Sequence, residues 1–393
     1  MSKLLIYNTL DKDPQSKVRG IGRYVKTFEE SQKYTNALIR TNSTSSTPLF
    51  KELNFELISS TKSLNKNLPL LNPFFNPIAK PAFFFRKSRK QIAVIHDLIT
   101  IKYNKMYPVG IKGKLFKFLN KLTLKSYDII VTDSNASKND IVNIYKIDEK
   151  KIHVIYPTVS TIFLPHLDTQ TENKSHHHPF KKIANSSSQP EFTEFSVSQL
   201  THNKIVQEVK DYLIYVGDGT WNKNLVNLAR VVKILNLPCV FVGSIFDYEK
   251  IKKLPAKPHP WQRSYYEFLK LAEGDKRFIF ASYVTDAELR SLYKHAKLNL
   301  LLSYDEGFGY SYVEASYMST PSILSDIPIF HEIARDSAVF VDPNNPNEIA
   351  ETVNKVYFDQ LTLENLKIKV FDRAQDFNPV NFINQFSLLI KNI

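Results

Sequence analysis

Apolar and polar positions along the chain fall into two alternating rhythms. Short runs dominated by Leu, Ile and Val occur at Lys3–Tyr7, Phe55–Ser59, Gln91–Ile95, Asp128–Thr132 and Lys151–Ile155. They return at Tyr212–Val216, Cys239–Val242, Arg277–Phe280, Leu298–Leu302, Ser322–Leu324 and Ala338–Val341. Runs this short and this continuously apolar read as strands buried on both faces. Helical periodicity lies between them, at Arg23–Leu38, Ile111–Ser126, Leu225–Leu235, Trp261–Leu271, Asp286–His295 and Tyr310–Tyr317. Repeated strand-then-helix units predict parallel sheets covered by helices. Two such sets in 393 residues predict two doubly wound domains facing each other across a cleft.

The rhythm breaks once. From about 168 to 202 periodicity fades and Ser, Thr, Asn, Gln and His take over. That stretch reads as a polar insert or linker. It divides the chain into a first domain over 1–202 and a second over 203–376. The run His176-His177-His178 lies inside it, with no Cys or His at ligand spacing nearby, and predicts a solvated loop rather than a metal site.

Composition narrows the class without naming it. Hydrophobic residues make up 43% and charged residues 23%, an ordinary globular balance. The single cysteine, Cys239, rules out a disulfide framework within one chain and points to a reducing, cytoplasmic compartment. The opening Met-Ser-Lys leads into a run too short for a signal peptide, and no apolar run is long enough to span a bilayer.

The net charge of +13 is unevenly placed. Between Lys80 and Lys125 stand twelve basic residues and a single acid, Asp97. A field of that sign attracts phospholipid, lipid-linked phosphate or nucleic acid. Within it, Ile111, Leu115, Phe118, Leu119 and Leu122 share one helical face, beside Lys114, Lys117, Lys121 and Lys125. Phe74-Phe75 and Phe83-Phe84-Phe85 lie upstream. Two readings stand side by side: a surface for anionic lipid headgroups, or a domain helix that buries its apolar face. No nucleic-acid module is present, so a nucleic-acid binder rests on charge alone.

The segment richest in chemistry is Ser303–Ala315, reading Ser-Tyr-Asp-Glu-Gly-Phe-Gly-Tyr-Ser-Tyr-Val-Glu-Ala. It follows an apolar strand and opens a helix. Gly307 and Gly309 let backbone approach a ligand, and a helix start suits a pyrophosphate. Glu306 and Glu314 fit two ends of one ligand, since carboxylates accept from sugar hydroxyls. On spacing alone, a helix start with two surface glutamates is the favoured reading.

At this point the chain resembles the retaining GT-B glycosyltransferases of family four, the group 1 glycosyltransferases with a Glu-x7-Glu motif. Glu306-Gly-Phe-Gly with Glu314 matches that motif. Tyr215-Val216-Gly217, Lys223-Asn224-Leu225, Tyr283-Val284-Thr285-Asp286, Thr320-Pro321-Ser322, Asp326-Ile327-Pro328 and Val341-Asp342-Pro343 stand in the family's order. In the first half, His96-Asp97-Leu98 and Asp133-Ser134-Asn135-Ala136-Ser137 are similar too.

The resemblance implies two Rossmann-like domains, with 377–393 crossing back as a helix to the first. It implies transfer of a hexose, with retention, from a nucleotide-diphosphate sugar to a glycan or lipid-linked acceptor in surface polysaccharide synthesis. Asp-Ile-Pro relatives lean toward GDP-mannose as donor. Glu306, His96 and Lys223 would be the catalytic residues, with Lys223 facing the diphosphate. Glu314 would hold the ribose. Gly217, Gly307, Phe308, Gly309, Tyr310, Ser311, Tyr283 and Val284 would complete the donor site. Gly22, in the Gly20-Ile21-Gly22 turn ahead of a helix starting near Arg23, would join them. No cofactor or metal is implied, and Asp11-Lys12-Asp13 reads as an exposed loop despite its Asp-x-Asp form. The enzyme would be cytoplasmic, touching the inner face of the membrane through 80–125.

Three positions depart from the pattern. Many relatives carry arginine where this chain has Asp218 or Asn222, so a phosphate-facing cation is missing unless Arg230, Arg263 or another residue supplies it. Ser319 stands where glycine is common before Thr-Pro. These departures leave open a catalytically degenerate partner subunit.

Overall fold

The computed structural model describes residues 3–8, 20–41, 53–61, 64–165, 198–199 and 202–392. The first sheet is built from β1 (Leu4–Tyr7), β2 (Phe55–Ile58), β3 (Leu70–Asn72), β4 (Gln91–Val94), β5 (Ile129–Thr132) and β6 (Ile152–Val154). The second takes β7 (Ser198–Gln199), β8 (Leu213–Val216), β9 (Cys239–Val242), β10 (Phe278–Phe280), β11 (Leu298–Leu301), β12 (Ser322–Ser325) and β13 (Val339–Val341). Their orders are β2-β1-β3-β4-β5-β6 and β13-β12-β11-β8-β9-β10-β7. Every described strand pair is parallel. Every residue of β4, β5, β9, β11 and β12 is buried, which is why these strands read as unbroken apolar runs.

Strand order reverses between β1 and β3, and again between β8 and β11. Open parallel sheets bind ligands beyond the carboxyl ends of the strands at such switch points. Gly217 ends β8, and the Ser303–Glu306 loop follows β11. His96 and Asp133 lie just beyond β4 and β5 in the facing sheet.

Several boundaries differ from the sequence reading. The first helix begins at Gly20, not Arg23, and runs to Thr41, so Gly20-Ile21-Gly22 forms its opening turn rather than a loop ahead of it. β3 was not legible, because Pro69 and Pro73 bracket its three residues and read as loop. β7 pairs with β10, and Phe163 and Leu164 already pack in the second core. The second domain therefore starts before residue 203. Most of the polar insert, His176–His178 and Asp11–Asp13 lie outside the described residues. The last helix, Pro379–Lys391, sets Phe382, Ile383 and Phe386 against Leu4, Phe28 and Ile92 of the first core.

The basic helix Ile111–Thr123 is mounted in an unusual way. Its buried positions are Asn120 and Thr123. Asn120 donates from Nδ2 to the carbonyls of Asn76, Pro77 and Ala79, pinning the helix to that loop. Its apolar side faces outward: Ile111 is 88% exposed, Leu115 52%, Phe118 59% and Leu122 45%. Phe85 nearby in sequence is 77% exposed. The reading in which this helix buries its apolar face is therefore wrong.

Candidate active site

A cleft of about 440 Å³ separates the two sheets and is lined from both sides. From the first domain come Arg23, His96, Asp97 and Asp133; from the second come Gly217, Asp218, Lys223, Glu306, the 307–311 backbone and Glu314. A second cavity of about 550 Å³ continues it past Gly217, Tyr283 and Val284, with Arg23 on its wall as well.

The loop after β11 explains its own sequence. Gly309 sits at φ 100, in the left-handed region, and opens the helix Tyr310–Tyr317 without a side-chain cap. A Cβ there would stand 2.9 Å from Ile333 Cδ1 and 3.1 Å from Phe330 Cε1. A Cβ on Gly307 would come within 3.1 Å of the His96 carbonyl and of Asp97 Cβ, across the cleft. Glycine at 307 thus allows backbone from the two domains to meet. Phe308 turns its ring into the core beside Tyr310 and Phe377, so it offers the cleft backbone only.

Glu306 is nearly buried and grips Lys223, whose Nζ donates to Oε1 at 2.6 Å and Oε2 at 2.8 Å. Ser303 Oγ donates to the same carboxylate at 2.7 Å. Burial opposes the charge on Lys223, but Glu306, Asp218 and Asp97 outweigh it and hold its pKa above the usual lysine range. The ammonium is thus fixed as a cation at the cleft floor.

Opposite, His96 Nδ1 lies 2.7 Å from Asp133 Oδ2, and Nε2 lies 3.3 Å from the Pro73 carbonyl. Burial pushes the imidazole pKa down, yet Asp133 prevails and holds it above the ordinary value. Tyr24 meets the ring edge-on at 4.8 Å. The Tyr310 hydroxyl and Asp133 Oδ1 are buried without a protein partner among the described residues. Unpaired buried oxygens beside a cleft are the kind of group a ligand satisfies.

Glu314 is 2% exposed. Arg23 Nη1 donates to its Oε1 at 2.5 Å, and the Tyr293 hydroxyl to its Oε2 at 3.2 Å. The other arm of Arg23 donates to Asp286 at 2.5 Å. Burial raises the pKa of Glu314, and Arg23 acts against that rise. Sequence reasoning missed Arg23 altogether. Of the spare cations open to the sequence, Arg230, Arg263 or another residue, neither named arginine lines the cleft: Arg230 pairs with Glu267 and Arg263 is exposed.

Two seams flank the site. On one, Ser134 and Ser137 donate to the Gly307 carbonyl at 2.8 and 3.3 Å. The amides of Asn135 and Ala136, at the start of the helix Asn135–Tyr145, donate to Glu332 at 2.7 and 3.0 Å. On the other, Tyr107 donates to Asn222 Oδ1 at 2.6 Å, and Asn222 Nδ2 donates to the Asp305 carbonyl at 3.0 Å. Asn222, at one of the positions where relatives carry arginine, is thus a joint between domains.

Two parallel doubly wound domains, with a charged cleft at their facing switch points, define the GT-B class of fold. Solved structures agree on the fold. The Anabaena protein Alr3699/HepE, crystallised with UDP, aligns over 100% of both chains with a TM-score of 0.62 at 12% identity. WaaG, a glycosyltransferase involved in lipopolysaccharide biosynthesis, aligns over 100% of both with a TM-score of 0.59 at 13% identity.

Sequence comparisons point in the same direction. Residues 198–371 match the family model described as glycosyl transferases group 1. It is 25% identical over 270 residues to the O-antigen chain mannosyltransferase RfbU of Salmonella typhimurium, covering 68% of this chain and 61% of that one. It is 29% identical over 119 residues to the serotype-specific mannosyltransferase WbdA of Escherichia coli, covering 30% of this chain and 14% of that one. The chain thus spans about three-fifths of the first relative and a small part of the second.

Proposed function

We propose that the protein transfers a hexose, with retention, from a nucleotide-diphosphate sugar to a glycan or lipid-linked acceptor in surface polysaccharide assembly. The observation that carries this reading is the Lys223–Glu306 pair beside the Gly307–Gly309 turn, facing His96 across one cleft. In this scheme Lys223 and the helix start at Tyr310 take the diphosphate charge that grows as the glycosidic bond breaks, an electrostatic role that needs no metal. Glu306 and the 307–309 backbone hold the donor sugar. Glu314 accepts from the ribose, and Gly217, Tyr283, Val284, Tyr310 and Ser311 border the nucleotide. His96, oriented by Asp133, sits at the reacting carbon. Mannose, carried as GDP-mannose, is the first donor to test, since both curated relatives above are named mannosyltransferases.

The exposed apolar side of Ile111–Thr123, ringed by lysines, supports docking on the anionic inner face of the membrane, where a lipid-linked acceptor is presented. Among the described residues no helix is long and apolar enough to cross a membrane.

The test is release of nucleoside diphosphate from GDP-mannose and from UDP-hexoses, with and without a lipid-linked acceptor. Turnover with one donor is expected, reduced about a hundredfold in Glu306→Gln. Wild-type protein that binds and hydrolyses no donor in the panel would overturn the reading in favour of an inert partner subunit.

A further inference from the structure

The cleft is poor in free cations. Around both cavities the basic side chains are Arg23, Lys26, Lys223 and His96, the last held on Asp133. Lys223 is taken by Glu306, and Lys26, largely exposed, pairs with Glu30 at 3.2 Å. Against them stand Glu30, Asp97, Asp133, Asp218, Asp286, Glu306 and Glu314. A diphosphate entering this lining meets more carboxylates than cations, so binding requires a cation to change partners.

Arg23 has the geometry for that. It comes from the first domain but ends on two acids of the second, 2.5 Å from each. Its side chain keeps 30% exposure, while Glu314 beneath it keeps 2%. It borders the cavity holding Lys223 and Glu306, and also the one holding Gly217 and Tyr283. A guanidinium offers five donors in a planar fork, which suits two phosphate oxygens as well as a carboxylate.

We infer that Arg23 is an exchangeable cation of the donor site. It is held on Glu314 and Asp286, and it passes to the donor's diphosphate when the ribose hydroxyls take up Glu314. The inference rests on the nucleotide-sugar reading above, because that reading brings the ribose to Glu314. It answers the missing arginine at 218 and 222 with a residue from the opposite domain. It also makes donor binding depend on domain closure, since the cation arrives from the first domain and the ribose acceptor from the second.

The test compares a nucleoside with its diphosphate on the full chain. Guanosine and GDP, and uridine and UDP, are titrated calorimetrically into wild type, Arg23→Gln and Arg23→Lys. Arg23→Gln is expected to weaken the diphosphate at least tenfold, about 1.4 kcal/mol. Nucleoside affinity should hold or rise, since Glu314 loses a competitor. Arg23→Lys should recover part of the diphosphate affinity. Equal weakening of nucleoside and diphosphate would mean that Arg23 is only a strut, and unchanged diphosphate affinity would mean that it never reaches the phosphates. Either result overturns the inference while leaving the enzyme reading intact. Wild type that binds neither diphosphate would remove that reading, and the inference with it. Thermal melts of the three proteins separate loss of binding from loss of fold.

Discussion

The outward apolar face of Ile111–Thr123 permits a quantitative test of membrane docking. Fully burying a Leu, Ile or Phe side chain yields about 1.5–3 kcal/mol. Leu115 and Phe118 already expose half or more of their surface, 52% and 59%, so that fraction is available to the headgroup region. Scaled to it, the pair contributes about 1.7–3.3 kcal/mol of transfer. Lysines near an anionic surface add about 1 kcal/mol each, and Lys112, Lys114, Lys117, Lys121 and Lys125 lie on or beside this helix. The perturbation is Leu115→Ser with Phe118→Ser. Because both residues are exposed, the fold should change by no more than about 0.5 kcal/mol per site. Flotation with vesicles containing phosphatidylglycerol should show partitioning reduced by about 15-fold or more. Raising the salt should weaken wild-type binding, and neutral vesicles should bind poorly. Equal flotation of variant and wild type, with no dependence on salt or anionic lipid, would refute the reasoning.

Other expectations follow from individual contacts. Lys223→Met leaves Glu306 buried without its counter-charge and should destabilise by about 2–4 kcal/mol in urea melts, with Glu306→Gln added to it restoring at least 1 kcal/mol; a strictly additive double variant would contradict the pairing. Asp133→Asn should lower the His96 pKa, because burial is then opposed only by Asp97 and the Pro73 carbonyl, as imidazole NMR would read. In the wild type the raised pKa means that the pair's stabilisation is full below about pH 6.5 and disappears as pH climbs through the raised value; the variant should lose that acid-side gain. Gly307→Ala places a methyl 3.1 Å from the His96 carbonyl and should lower turnover while leaving the melting temperature nearly unchanged. Ser319 sits at φ 55, so Ser319→Gly should raise stability by about 0.5–1 kcal/mol in the same melts, the relief of left-handed strain exceeding the greater freedom of unfolded glycine.

Legibility in the sequence followed the range of the interaction. β4, β5, β9, β11 and β12 announced themselves because burial on both faces leaves no polar position to blur the run. The Glu306–Glu314 segment was legible because strand, turn and helix start are local and each needs a particular residue type. The orientation of Ile111–Thr123 was not, since an amphipathic wheel shows that two faces differ but not which one meets the core. There the decision lies with Asn120, whose three carbonyl partners at 76, 77 and 79 come from a loop without periodicity. β3 and the early start of the second domain escaped for a related reason: prolines at 69 and 73 mask the first, and the two residues of β7 are selected by the neighbour they join.

Arg23 marks the far end of that scale. It is separated from Asp286 by 263 positions and from Glu314 by 291, and its own segment shows only a glycine pair and an amphipathic helix. No local rule distinguishes it from Lys26, one turn further on. The opposite domain distinguishes it, by setting two carboxylates within reach of one fork. The same holds for Asn222, which reads as a lost cation until the first domain supplies Tyr107, and for Glu332, which nothing in the sequence singles out and which takes the helix start at Asn135. In a fold whose chemistry lies between two sheets, the groups that belong to one sheet can be read from the chain. The groups that decide whether the sheets close on a ligand are visible only once both are in place.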